Sequence, residues 1–295
     1  MDRQLNFLIV GAQKSGTTSL HRSLALHPSV FLPDQKEIDL FGTAASFARA
    51  SRILDRHYRK AEDEPARGLS YVGMMFLEGA AERVHEYSSQ MKIVAALRNP
   101  IDRAYSAYWH HRRTGWEQSE TFEEALRRED ESDVPDDQAA RAMTYRRNGC
   151  YADQLEPYIR LFGREQVSLL LSDDLRDRPR ETLDRLTDWL GIDPIPEERW
   201  STRRHNEAAM PRYPALQKTL LAHDSRLKRI YQRLVPERIR EPIRRTITTP
   251  LVLRHEQPFV YPPLAAETRR LLCRYYAPHN ARLATIVGRD LGHWV

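Results

Sequence analysis

Residues 7–30 read FLIVGAQKSGTTSLHRSLALHPSV, and the architecture follows from how this stretch is parsed. Phe7 to Val10 form an apolar, largely branched run of the kind that makes a buried strand, and Leu20, Leu24 and Leu26 lay an apolar face along Thr17 to His27 at helical spacing. A tight turn lies between them. Strand, glycine-containing loop and helix N-terminus together make an anion site, because unpaired backbone N–H groups and the positive end of the helix dipole converge there. Ser15, Thr17, Thr18 and Ser19 add hydroxyl donors.

The phosphate-loop pattern of NTPases, G-x-x-x-x-G-K-[ST], is met only in its glycines, Gly11 and Gly16. Thr17 stands where the lysine belongs, and the lysine is Lys14. In an NTPase the hydroxyl after that lysine helps hold magnesium, with an acidic residue at the end of a later strand. The second strong strand, KIVAALRNP over residues 92–100, ends instead in Arg98. An arginine there repels a metal and attracts a phosphate, so the expected ligand is a phosphorylated nucleotide bound without magnesium.

The stretch QKSGTTSL resembles the 5′-phosphosulfate loop of sulfotransferases that use 3′-phosphoadenosine-5′-phosphosulfate (PAPS), and LRNPIDRAYSAYWHH is similar to their 3′-phosphate motif. In that motif an arginine at the strand end and a serine eight residues later grip the 3′-phosphate, which here implies Arg98 and Ser106. The two motifs occur in the family's order, about eighty residues apart. The stretches GCYADQLEPYIRLFGREQVSLLLSDDL, RETLDRLTDWLGI and GRDLGHW also fit bacterial members, so the resemblance covers most of the chain. It is weak between about Asp130 and Arg146 and from about Leu220 to Pro263.

The resemblance implies that Lys14, Ser15, Gly16, Thr17, Thr18, Ser19, Arg98 and Ser106 bind PAPS, that 3′-phosphoadenosine-5′-phosphate (PAP) leaves as product, and that no metal takes part. In the heparan sulfate and related carbohydrate sulfotransferases a glutamate after the first helix and second strand serves as base. LPDQKEIDLF over residues 32–41 matches that element and gives Glu37 the role, beside Lys36, with Asp39 and Leu40 where the family often has histidine and phenylalanine. Cytosolic aryl sulfotransferases use a histidine upstream of the 3′-phosphate motif. His85 is the candidate for that place, and AAERVHEYSSQ reads as an amphipathic helix with the histidine on its surface. GLSYVG sits where relatives have a Ser-Pro-x-Tyr or Thr-Pro-x-Tyr element, with Ser70 and Tyr71 as its remnant, and STRRHNEAAMPRY is the candidate for a late basic cofactor loop.

With 295 residues, 41% of them hydrophobic, the chain suits one large α/β domain, though two would also fit that length. The resemblance implies a single sulfotransferase domain over 1–295, a parallel sheet flanked by helices, with a Pro/Arg-rich excursion near 235–263. Strands are expected near 6–10, 30–32, 93–97 and 167–171. Helices are expected over 17–27, 77–87, 100–113, 122–128, 151–162, 179–190, 216–234 and 264–285. The net charge of +5 favours an anionic ligand, yet no zinc finger, basic heptad or aromatic-basic motif points to nucleic acid. Cys150 and Cys273 lack metal-ligand spacing. The apolar run at the N-terminus is too short for a signal peptide and no stretch approaches a membrane span, so a cytoplasmic, soluble protein is expected.

The expected reaction moves a sulfuryl group from PAPS to a hydroxyl of a carbohydrate or other small-molecule acceptor, with Glu37 and Lys14 as the catalytic pair. N-sulfation of an amine is the alternative. A P-loop kinase would need the magnesium hydroxyl and acidic strand end that are missing, and a non-catalytic nucleotide binder would have no need of Glu37.

Overall fold

A computed structural model describes residues 4–131, 133, 138–199, 209–211, 256–258 and 260–294. Five parallel strands form the sheet: β1 (Phe7–Gly11), β2 (Val30–Phe31), β3 (Ala66–Ser70), β4 (Lys92–Leu97) and β5 (Val167–Leu171), in the order β2-β3-β1-β4-β5. Side chains alternate along β1, and both faces are covered. Leu8 and Val10 join one core with Ile93, Ala95, Leu97 and Leu155, whereas Phe7 and Ile9 join a second with Leu20, Leu24, Val94 and Leu186. This two-sided burial is why β1 and β4 read as continuous apolar runs.

Helices α1 (Thr17–Leu24), α2 (Ala44–Phe47), α3 (Ala50–His57), α4 (Ala80–Tyr87), α5 (Pro100–Thr114), α6 (Phe122–Asp130), α7 (Gln138–Ala142), α8 (Tyr151–Phe162), α9 (Ser172–Asp177), α10 (Pro179–Leu190) and α11 (Ala266–Val287) flank the sheet. A third cluster, containing Ala104, Tyr108, Phe122, Tyr145 and Tyr276, locks α5, α6 and α11 together. Two short strands, β6 (Ala209–Pro211) and β7 (Glu256–Pro258), pair antiparallel.

Strand β5 and helices α8 and α10 occupy their expected ranges. Helix α1 stops at Leu24, short of His27, in a turn where Leu26 and His27 N–H bond back to Ser23 and Leu24 carbonyls. Pro28 disfavours helical backbone at His27, so the helix does not extend that far. The helix expected over 216–234 and most of the Pro/Arg-rich excursion and of the late basic loop lie outside the described residues. No helix among the described residues is long and apolar enough to cross a membrane.

Strand order reverses between β1 and β4: from β1 the chain runs to β2 and β3 on one side, and from β4 to β5 on the other. In open parallel sheets the crevice at the carboxyl ends of such strands is where ligands bind. Residues 12–16 follow β1, and Arg98 follows β4.

Candidate active site

The loop after β1 is held tightly. Ala12 N–H donates to the Ala96 carbonyl at 2.6 Å, tying the loop to β4, and Arg98 Nη1 donates to the Lys14 carbonyl at 3.3 Å. Gly16 is the N-cap of α1 with φ +90°, a left-handed conformation that glycine adopts without strain. Lys14 adopts φ +66° without that freedom, and Glu37, at φ +60°, is the other described non-glycine residue in the left-handed region. Strain of this kind concentrates at functional sites, and both residues are the ones singled out for chemistry. Ser15 is fully buried; its Oγ lies by the Tyr151 phenol, without a well-formed hydrogen bond to any described group.

Helix α5 supplies the opposite wall. Asn99 caps it, its side chain accepting from Ile101 N–H at 2.9 Å, and Pro100 fills the first turn where no N–H is needed. Ser106, His110 and Arg113 follow at four- and three-residue spacing and so share one stripe of the helix. His110 and Arg113 act electrostatically on Lys14, so this stripe faces the loop, and Ser106 on it is buried.

Glu37 is carried between β2 and α2. Its N–H donates to the Ser70 carbonyl at 2.9 Å, and its Oε2 accepts from Val72 N–H at 3.0 Å. Oε1 pairs with Lys36 Nζ, which also donates to Thr17 Oγ1 at 3.1 Å. Lys36 thus bridges the carboxylate to the first residue of α1. The Glu37 side chain remains 40% exposed, so an acceptor can reach it. Asp39 serves the local backbone instead, its Oδ1 accepting from Gly42 N–H at 2.7 Å and from Ser46 Oγ at 3.2 Å.

The electrostatics are those of an anion site. Burial, reinforced by Arg113, Arg98 and Lys36, lowers the Lys14 pKa from 10.5 to about 8. Four cations, Lys14, Lys36, Arg98 and Arg113, thus share one electrostatic environment, an arrangement that favours an anion. The Tyr71 phenol is raised well above its ordinary value by burial and by Asp39 and Glu37, so it stays protonated near Glu37. Two histidines that sequence reading did not consider, His110 and His111, feel the charge of Lys14. Burial and the neighbouring Lys14, His111 and Arg113 push His110 down to about 2, which leaves a very weak proton acceptor. His85 sits on α4, its ring edge-on to Phe162 at 5.3 Å.

Of the residues singled out, Lys14, Thr17, Glu37 and Arg98 are thus brought together through hydrogen bonds or ion pairs with one another or with Lys36, while Ser15, Gly16, Thr18 and Ser19 surround them on the loop and the first turn of α1. Sequence reading missed Lys36 as the bridge and Arg113 as a wall cation. The spacing of Arg113 from Ser106, seven residues along one helix, was the available signal for the latter.

The profile of the sulfotransferase domain family matches residues 4–228. Human bifunctional heparan sulfate N-deacetylase/N-sulfotransferase 2 is 27% identical over 211 residues, covering 66% of this chain and 23% of that protein. Human bifunctional heparan sulfate N-deacetylase/N-sulfotransferase 3 is 26% identical over 311 residues, covering 100% of this chain and 31% of that protein. The chain therefore spans between 23% and 31% of the length of these curated relatives. The crystal structure of a sulfotransferase from Alicyclobacillus acidocaldarius superposes with a TM-score of 0.67 at 25% identity, covering 99% of this chain and 98% of that one.

Proposed function

The chain belongs to the sulfotransferase domain family, and on that premise we propose that it transfers the sulfuryl group of PAPS to a hydroxyl of a carbohydrate or similar small-molecule acceptor. The observation that carries this reading is the convergence of Lys14, Lys36, Arg98 and Arg113 on a loop that has no acidic strand end beside it. PAPS supplies an activated sulfuryl group on a phosphate leaving group, together with a 3′-phosphate as a recognition handle.

The residues present fit that molecule. The buried, poorly bonded Ser15 hydroxyl and the N–H groups at the start of α1 suit the 5′-phosphosulfate, and Arg98 with Ser106 suits the 3′-phosphate. Lys14 is placed to meet negative charge as it develops on the departing phosphate oxygen, a preorganised electrostatic role. Glu37 takes the acceptor proton. Lys36 and Val72 N–H hold its carboxylate in place, and its partial exposure leaves it open to an acceptor. With four cations on the wall, the chain's own residues do the charge stabilisation, and the reaction is proposed to need no metal.

A second reading, transfer to an amine, is favoured by the names of the curated relatives, which are N-sulfotransferases. The two are separated by offering an amino sugar and its N-acetylated counterpart with labelled PAPS. Label only in the free amine would assign N-sulfation, and label in both would assign a hydroxyl.

The donor assignment is tested by thermal shift. PAP is expected to stabilise the fold far more than ATP, because ATP lacks the 3′-phosphate, and Arg98→Ala should erase the difference. Equal shifts with both nucleotides in the wild type would remove Arg98 and Ser106 from the donor site.

A further inference from the structure

One network touches the phosphate loop without belonging to the donor site. Glu117, on the segment between α5 and α6, is 2% exposed, and its carboxylate is heavily bonded: Oε2 accepts from Arg128 Nη2 at 2.7 Å and from the Tyr145 hydroxyl at 2.8 Å, and Oε1 accepts from Ser119 N–H at 2.7 Å. Burial raises its pKa, but the bonds from Arg128, Ser119 and Tyr145 outweigh this and hold it below the ordinary carboxylate value. Glu117 is therefore ionised and can only accept hydrogen bonds.

That fixes the direction of everything beyond it. The Tyr145 proton is committed to Glu117, so its oxygen, 3.3 Å from His111 Nδ1, must accept from an Nδ1–H. Burial, with Lys14 and Arg103 adding to it and Glu117 opposing, lowers His111 to about 4, so the ring is neutral and carries one proton. Nε2 is then bare. It lies 3.3 Å from Gln13 Nε2, whose amide N–H donates to it. Four residues from four segments thus form a one-way chain ending on the residue before Lys14.

We propose that Glu117, Tyr145 and His111 are positioning residues, which act through Gln13 to hold Lys14 where it meets the departing phosphate; this rests on the assignment of Lys14 to the phosphosulfate. Two observations favour positioning over packing. Lys14 sits in a left-handed conformation that its side chain does not favour, so something must impose it. The loop is also held by the β4–α5 unit at two consecutive residues, at the Lys14 carbonyl by Arg98 and at the Gln13 amide by His111, so the unit carrying the proposed 3′-phosphate residues also bears on the 5′ loop.

The tautomer of His111 tests the chain without reference to activity. Histidine-selective ¹⁵N NMR, assigned with His111→Gln, is expected to show the Nδ1–H tautomer in the wild type and loss of that preference in Tyr145→Phe. An Nε2–H tautomer in the wild type overturns the proposal. Kinetics test the consequence: with an acceptor sugar that takes label from PAPS, Tyr145→Phe should lower kcat about tenfold while KM for PAPS changes less than about threefold, because the lost alignment matters most in the transition state. Glu117→Gln, which can still accept the Tyr145 proton, should retain more kcat than Glu117→Leu. A Tyr145→Phe enzyme with a lowered Tm but unchanged kcat would make the network structural only and overturn the proposal. Failure of PAP to bind the wild type would instead strike the donor-site assignment, leaving the tautomer result standing.

Discussion

Glu37 and Lys14 share an unusual backbone conformation but differ in what their substitution should do. Glu37→Gln keeps the shape and its bond from Val72 while removing the proposed proton acceptor. It should lower kcat by roughly two to four orders of magnitude, the usual worth of a positioned base, and leave PAP affinity by calorimetry nearly unchanged. Retained turnover would move the base elsewhere. Lys14→Ala should lower kcat by about two to three orders of magnitude and also weaken PAP binding, so saturating donor should not restore the rate. The Lys14 pKa adds a pH signature. An anion bound beside it favours the charged amine, so its pKa rises from about 8 on binding and a proton is taken up. PAP affinity should therefore be full below about pH 8 and fall as pH rises through that value. Calorimetry in buffers of differing ionisation enthalpy should show proton uptake near pH 8 in the wild type and none at this site in Lys14→Met.

At the level of strands and helices, the parts of the site that continuous patterns encode were legible. β1 with its loop and α1, and β4 running into α5, were each visible because a run of apolar residues meets a helix signal across a few polar ones. β3 was not, because ARGLS carries an arginine and a glycine where a buried strand usually has branched residues. The packing around it supplies the reason: a Cβ at Gly68 would run into the Phe7 ring, so glycine is what lets β3 pair beside β1. Gly68→Ala should cost about 1–3 kcal/mol in denaturant unfolding, as overpacking does, and Phe7→Leu in the same chain should recover part of it. Strictly additive losses would show that the ring and position 68 do not compete. The polar chain from Glu117 to Gln13 was illegible for another reason, since it joins residues from Gln13 to Tyr145 that no local period relates.

For the whole molecule, the +5 charge and the parallel sheet are permissive, and function rests on where the two motifs meet. The strand reversal between β1 and β4 brings a loop near residue 14 and a strand end near residue 98 into one crevice, which is why two short motifs eighty-odd residues apart could be read as one site. Under the proposed function, cations of this chain take the role that magnesium and an acidic strand end play in phosphoryl transfer. The decisive measurement is transfer of labelled sulfuryl from PAPS to a panel of hydroxyl- and amine-bearing sugars in excess EDTA, with wild type and Lys14→Ala side by side. Labelled product should form at an undiminished rate in EDTA, and Lys14→Ala should lose about two to three orders of magnitude. Transfer that appears only when magnesium is supplied, or a Lys14→Ala enzyme restored fully by more PAPS, would refute charge stabilisation by the chain's own cations.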